Sequence, residues 1–359
     1  MKPDKIINPE NIKGEIIWKS PANIAIVKYW GKYGLQLPKN PNISFTLQKA
    51  LTIMRLAYSK KKIDDNVINL TFEFSEAAQS EKFRKKIVAF MESVLHEFSF
   101  LTQLDMHIVS ENSFPHSAGI ASSASSMSAL ALCLCSLESR LGGKLKENSP
   151  AFLKRASHIA RLASGSACRS VYPNMALWGK MKDVKGSSNF NAIDFSEHIH
   201  PIFKTYNDAI LIASTAEKNV SSRMGHGLMN NNAYAEPRYK QARSRMTDLL
   251  EILKSGNVHA FGQIAEDEAM TLHALMMTSS PSFTLLKPNT LRMIEILRDW
   301  RQQTNIPAYF SLDAGPNLHL LYPDEVSTQV KDFTEKYLKP FCEDEKIIYD
   351  RVGQGAEVG

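Results

Sequence analysis

Four short stretches of this 359-residue chain carry residue types that handle anions. In Lys28-Tyr-Trp-Gly-Lys32, two lysines flank Gly31. If the chain turns there, both ammonium groups face one point, which suits a polyanion. It also suits a surface loop with Trp30 packed beneath it. Ser164-Gly-Ser166-Ala-Cys-Arg169-Ser170 is a glycine-relieved turn ending in an arginine, whose planar fork matches a carboxylate. A helix end with a solvated arginine is the plainer alternative. Ser221-Ser222-Arg223-Met-Gly225 repeats the order hydroxyl, hydroxyl, guanidinium, glycine, and as a third such cluster it points to a heavily anionic ligand. Asp313-Ala-Gly-Pro-Asn317 puts a carboxyl at a bend supplied by Gly315 and Pro316. Such an aspartate is either an Asx cap or an acid lodged in a cleft beside a cation.

A longer stretch, Glu111 to Ser126, joins a strand-like run at Leu104 to Val109 to a small-residue helical run at Ser122 to Leu137. The backbone turns at Pro115 and Gly119. The first amides of the outgoing helix lack intrahelical partners, and the helix dipole adds about half a positive charge there. Such a junction takes anions, most often phosphate. Ser122, Ser123, Ser125 and Ser126 suit capping, Mg2+ ligation or phosphate bonding. The same residues also fit a capped, packed helix with no ligand. No G-x-x-x-x-G-K-[ST], H-E-x-x-H or nucleophile elbow occurs. His198 and His200 read as exposed rim residues rather than metal ligands, and His107, His259 and His273 as structural.

The elements that must position these residues follow from periodicity. Strands are expected at Gly14 to Trp18, Asn23 to Val27, Phe45 to Leu47, Leu51 to Tyr58 and Val67 to Phe74. A helix over Ser80 to Phe98 and a second near Ala151 to Leu162 flank the phosphate-cradle candidate. Extended segments follow at Tyr172 to Lys182 and Ile193 to Phe195. Beyond Asn207 come a strand at Asp208 to Thr215, a polar segment, and helices at Tyr234 to Lys254, Val258 to Met277 and Asn289 to Gln303. Strands at Ala308 to Leu312 and Leu318 to Tyr322 bracket Asp313. A helix near Val326 to Tyr337 and a strand near Lys346 to Tyr349 close the chain. The pattern reads as α+β in two lobes, 1–203 and 204–359, with a cleft between them as the default site.

Composition bounds the function. The 43% hydrophobic content is that of a globular protein, and the formal charge of +6 suits anionic small molecules as well as nucleic acid. Lys60-Lys61-Lys62 and Arg84-Lys85-Lys86 read as solvated faces. The four cysteines form no C-x-x-C and look reduced, which fits the cytoplasm. No signal core and no run near the roughly 18 apolar residues of a membrane span is present.

Taken together, the stretches resemble one family. Asn23-Ile-Ala-Ile-Val-Lys28-Tyr29-Trp30-Gly31-Lys32 is similar to the N-terminal signature of the diphosphomevalonate decarboxylases. Asn112-Ser-Phe-Pro followed by Ala118-Gly-Ile-Ala-Ser-Ser-Ala124 resembles their phosphate loop, which the GHMP kinase superfamily shares more loosely. The Arg169 and Asp313 blocks also fit, in the family's order. The resemblance implies a GHMP kinase fold, with an N-terminal lobe of a type found in ribosomal proteins and a C-terminal α/β-sandwich lobe. It implies ATP- and Mg2+-dependent 3-phosphorylation of mevalonate 5-diphosphate, then loss of CO2 and phosphate to give isopentenyl diphosphate. Carried over by position, Asp313 is the catalytic acid–base residue at the 3-hydroxyl, with Lys28 beside it. Arg169 grips the substrate carboxylate, with Ser164 and Ser166 nearby. Tyr29, Lys32, Ser222 and Arg223 hold the diphosphate. Asn112 and the loop of Gly119, Ala121, Ser122 and Ser123 hold ATP, with Ser122 or Ser123 facing Mg2+. The resemblance suggests a homodimer; composition and charge add the expectation of a cytoplasmic protein with no nucleic-acid or membrane partner.

The sequence departs from the family at Tyr33-Gly34, at Pro41 and Asn42, at His116, and at Met224-Gly-His-Gly227. The alternatives are a 5-monophosphate decarboxylase, a GHMP small-molecule kinase that stops at the phosphorylated product, and a non-catalytic RNA-binding protein. Evenly spread charge, with no aromatics alternating with the basic runs, speaks against the last.

Overall fold

The structure is a computed structural model that describes residues 12–63, 65–74, 80–114, 122–216 and 220–359. The first half alternates strands and helices in the order β1 (Lys13–Val27), β2 (Lys32–Tyr33), β3 (Leu37–Pro38), β4 (Asn42–Lys60), β5 (Asn69–Phe74), α1 (Ser80–Ser93), β6 (Leu104–Asn112), α2 (Ser122–Arg140), α3 (Pro150–Ala163), β7 (Met175–Trp178) and β8 (Ala192–Asp194). The second half runs β9 (Asn207–Leu211), α4 (Ser222–Leu228), α5 (Ala235–Ser255), α6 (Val258–Met277), α7 (Pro288–Thr304), β10 (Tyr309–Leu312), β11 (Leu318–Tyr322), α8 (Ser327–Phe333), β12 (Ile347–Arg351) and β13 (Glu357–Val358).

The first sheet runs β13-β1-β4-β6-β5, with β7 extending it from the start of β4 and β8 pairing β7. β5 and β6 are parallel, joined through α1; the other pairs are antiparallel. Two expectations need correction. The strands expected on either side of Pro21 are one strand, with a register shift between Pro21 and Asn23. A proline has no amide to donate, and an irregularity is where a ladder tolerates it. The two strands expected within Asn42 to Lys60 are likewise one. α2 lies on this sheet with every residue from Ala124 to Leu137 buried. Its alanines and serines let it sit close, and Trp18 Nε1 donates to Ser136 Oγ at 2.9 Å across that contact.

The second sheet, β10-β11-β9-β12, is antiparallel throughout. The expected polar segment before α5 contains the short helix α4, capped by Ser221 Oγ accepting from the Met224 amide at 3.2 Å. The chain end returns to the first sheet. Asp350 on β12 accepts the backbone amides of Gln48, Lys49 and Ala50, and β13 pairs with β1. A single apolar cluster runs from Ile24 and Phe45 to Ile210 and Phe261, so the two halves share a core.

Candidate active site

β1 stops pairing at Val27, and the next residue, Lys28, is driven into the interior between the halves. Its Nζ donates to Ser311 Oγ at 2.8 Å and to Asp313 Oδ1 at 3.0 Å. Ser311 lies on β10 and Asp313 just beyond it, so the Lys28 ammonium ties the first half of the chain to the second. The lysine side chain is 3% exposed and the aspartate 24%, which leaves the carboxyl the cleft-facing member of the pair.

The Lys28 backbone is held as firmly. Glu268 Oε2 on α6 accepts its amide at 2.8 Å, and Asn40 Nδ2 donates to its carbonyl at 3.2 Å. Glu268 is buried and also accepts from Arg238 Nη1 at 2.6 Å and Arg245 Nη1 at 2.8 Å. Burial pushes this carboxyl up, but the hydrogen bonds and charge of Arg238, with help from Arg245 and the Lys28 amide, outweigh burial and hold it below its ordinary range. Breaking such a pair leaves a buried guanidinium uncompensated, at about 3–5 kcal/mol. Glu268→Gln is therefore expected to lower the unfolding free energy, read from urea titration, by that amount at pH 7. A carboxyl with a depressed folded pKa stabilises fully above its unfolded value, about 4.3, and loses that contribution as pH falls. The gap between wild type and variant should begin to narrow below about pH 4.3 and close only once pH has fallen through the depressed folded pKa.

Arg169 enters from the opposite wall, at the end of a 3-10 turn, Gly165–Arg169, that follows α3. The turn needs glycine: a Cβ at Gly165 would meet Tyr29 Oη at 2.7 Å and Trp178 at 2.9 Å. Arg169 is buried against the first sheet. Nε donates to Asn23 Oδ1 at 3.1 Å and Ser44 Oγ at 2.9 Å, and Nη1 donates to Asn42 Oδ1. Among the described residues Nη2 has no protein partner. Burial lowers the guanidinium's hold on its proton, and nearby Cys168 and Asp313 partly restore it. Arg169 and Asp313 thus feel each other's charge, and both line one cleft of about 540 Å³.

The same cleft is lined by Tyr29, Lys32, Ser222 and Arg223. Among the described residues the buried Tyr29 hydroxyl has no partner. Lys32 donates to Gln36 Oε1 at 2.9 Å; burial and the Arg223 charge hold its pKa below the ordinary lysine range. Ser164, Ser166, Ser122 and Ser123 line it too, Ser123 Oγ lying 3.4 Å from Ser164 Oγ. The first turn of α2 therefore opens onto the cleft, as the strand–loop–helix reading expects. Ser125 and Ser126 do not serve there: Ser125 Oγ bonds Thr52 Oγ1 at 2.7 Å and Ser126 Oγ donates to the Ser122 carbonyl at 2.7 Å. Asn112 is not among the lining residues; its Oδ1 accepts from Thr52, and its buried Nδ2 has no partner among the described residues. Gly119, Ala121 and His116 lie outside the described residues.

Two family models match the chain. A diphosphomevalonate decarboxylase-like N-terminal domain covers residues 20–190, and a mevalonate 5-diphosphate decarboxylase C-terminal domain covers residues 209–356. The diphosphomevalonate decarboxylase of Saccharomyces cerevisiae is 31% identical over 337 residues, spanning 88% of this chain and 80% of that protein. The chain belongs to the diphosphomevalonate decarboxylase family. Its fold agrees. The mevalonate diphosphate decarboxylase of Staphylococcus aureus superposes with a TM-score of 0.81 at 25% identity, over 97% of this chain and 98% of that one. A structure of MDDEF in complex with MVAPP, AMPPCP and magnesium gives 0.80 at 26% identity, over 97% and 99%. The fold is therefore the two-lobed α+β fold of the GHMP kinases.

Sequence reasoning missed several residues of this decarboxylase-family cleft. Lys86, read as part of a solvated basic cluster, lines it from α1. His226 lines it from α4. His273 Nε2 bonds the Asp313 carbonyl at 3.1 Å, and Ser311 and Glu268 fix Lys28. Only His226 carries a sequence signal, as a departure from the family beside Arg223.

Proposed function

We propose that this family member catalyses the ATP- and Mg2+-dependent decarboxylation of mevalonate 5-diphosphate to isopentenyl diphosphate. The observation that carries the reading is that the Lys28–Asp313 pair and Arg169 line one cleft. A decarboxylating phosphotransferase needs an acid–base group at the hydroxyl and a grip on the carboxylate, and these two groups supply them.

A tertiary alcohol is a weak acid, so Asp313 does not strip its proton before attack. Phosphoryl transfer passes through a loose transition state, and the carboxylate orients the hydroxyl and collects its proton late. Lys28, fixed at both Nζ and backbone, keeps the carboxylate aimed. Most of the acceleration then comes from positioning and from donors facing the phosphates. Departure of the 3-phosphate leaves C3 electron-poor, and the carboxylate carbon must lie in line with that bond. Three bonds to Asn23, Ser44 and Asn42 already occupy Arg169 at Nε and Nη1. The substrate carboxylate then meets mainly the Nη2 edge, enough to orient it without a full bidentate lock on its charge.

Among the described residues no cluster of three or more His, Cys, Asp or Glu side chains could cage a metal. Serine hydroxyls at the start of α2 with a polyphosphate suit Mg2+, which keeps much of its shell on phosphate and water. Ser122 or Ser123 would hold it, and when bound it supplies neutralising charge at the transferring phosphate. We assign Tyr29, Lys32, Ser222 and Arg223 to the substrate diphosphate, Ser164 and Ser166 to the neighbourhood of its carboxylate, and Asn112, Gly119 and Ala121 to ATP. The assignment of Asn112 draws support from its buried amide, unpartnered among the described residues. We place the lobe boundary at 203/204, a position between the two matched family models, and infer a cytoplasmic homodimer from the family. Four free, buried cysteines suit a reducing compartment.

A second reading, preference for the 5-monophosphate, draws on one observation. Asn42 is spent on Arg169 and Asn40 on the Lys28 and Pro41 carbonyls, so this stretch offers no hydroxyl to a second phosphate. Steady-state kcat/KM for the mono- and diphosphate substrates separates the two. A ratio favouring the diphosphate supports the proposal; a strong monophosphate preference replaces it with the second reading.

A further inference from the structure

The phosphate end of the cleft holds a histidine that the mechanism above leaves unused. His226 follows Gly225 on α4. Its Nδ1 accepts the Gly31 amide at 3.0 Å. The ring packs against Tyr29 and Trp30, with centroids 4.3 and 4.8 Å away. Gly225 makes this possible, because a Cβ there would meet Trp30 at 2.5 Å. Burial, then the charge of Lys32, hold the imidazole down at about 3, so the ring is neutral at physiological pH. With Nδ1 accepting, a neutral ring carries its proton on Nε2. Among the described residues Nε2 has no protein partner, yet the ring lines the cleft beside Lys32 and Arg223.

We propose that His226 Nε2–H donates to the phosphate end of the substrate, as a neutral donor alongside Lys32 and Arg223. The inference rests on the functional reading above, which puts a phosphate there. Burial and the Arg223 charge already make Lys32 a weaker base than usual. A neutral N–H adds a directional bond without a third charge, and the Gly31 contact and flanking rings hold it in one orientation.

Two variants of the full chain separate this role from simple support of Gly31. The Asn amide reaches the Nδ1 position and still accepts from Gly31, but offers nothing at Nε2. The Gln amide reaches the Nε2 position and still donates there. A hydrogen bond to a charged group predicts a rise in KM of about tenfold to a hundredfold. His226→Asn should therefore raise KM for mevalonate 5-diphosphate by that factor, with kcat and the KM for ATP within about twofold. His226→Gln should stay within about threefold of wild type. The reverse ranking, or two variants like wild type, overturns the proposal. If thermal melts show that either variant fails to fold, 15N-imidazole NMR of the wild-type chain decides. Added inorganic pyrophosphate should move the His226 Nε2–H resonance while Nδ1 stays an acceptor, and no movement overturns the assignment. A wild type that does not turn over mevalonate 5-diphosphate sinks the functional reading instead, while the pyrophosphate titration still decides His226.

Discussion

Asp313→Asn is expected to lower kcat by about three to four orders of magnitude while leaving KM for the substrate nearly unchanged. The amide matches the carboxyl in size and still receives a hydrogen bond from Lys28, so the ground-state pocket survives. It has no capacity to take the proton from the 3-hydroxyl, and that interaction exists only along the reaction path. Lys28 also loses its charge partner while 3% exposed, with Ser311 Oγ still bonded. That loss adds a folding cost, which a melt measured beside the kinetics separates from the catalytic one. A variant that keeps near-normal kcat removes Asp313 from the chemistry.

Arg169→Lys is expected to be almost as severe, with kcat/KM down by about three orders of magnitude and the loss shared between KM and kcat. The guanidinium is a planar connector. One edge is bonded to Asn23, Ser44 and Asn42, and the other is turned to the cleft. A single ammonium cannot serve both edges, and the shorter choice of contacts strands sheet oxygens or substrate. Loss of in-line alignment should show as ADP formed faster than CO2, an uncoupling that wild type lacks. Equal loss of both products, with KM unchanged, would put Arg169 in a purely structural role.

The parts of this site that were legible in the sequence are those built from local patterns. Lys28, Arg169 and Asp313 each sit in a short block whose turn residues and neighbours are contiguous, and the structure brings all three to one cleft. The long helices α5, α6 and α7 follow from period alone. What was not legible depends on distant partners. Glu266, Asp267 and Glu268 are successive acids on one helix, and nothing local says that Glu268 turns inward to the Lys28 amide, 240 residues away. Its partner Arg238 is equally ordinary on α5 until the two meet. The serines of α2 show the same limit. Four hydroxyls looked equivalent, and only Thr52 on β4 and the Ser122 carbonyl decide that Ser125 and Ser126 are used internally. Pro21 misled in the other direction, since a break in the pattern became a bulge once β4 lay alongside.

The most direct test is a single-turnover experiment with wild-type chain, ATP, Mg2+ and mevalonate 5-diphosphate labelled in its carboxyl carbon, scoring labelled CO2 against ADP. One CO2 per ADP, with both lost in Asp313→Asn, is the expected result. ADP released with the label still in the acid would show a kinase that stops after phosphorylation, and would contradict the assignment of Asp313 and Arg169 to two ends of one decarboxylating substrate.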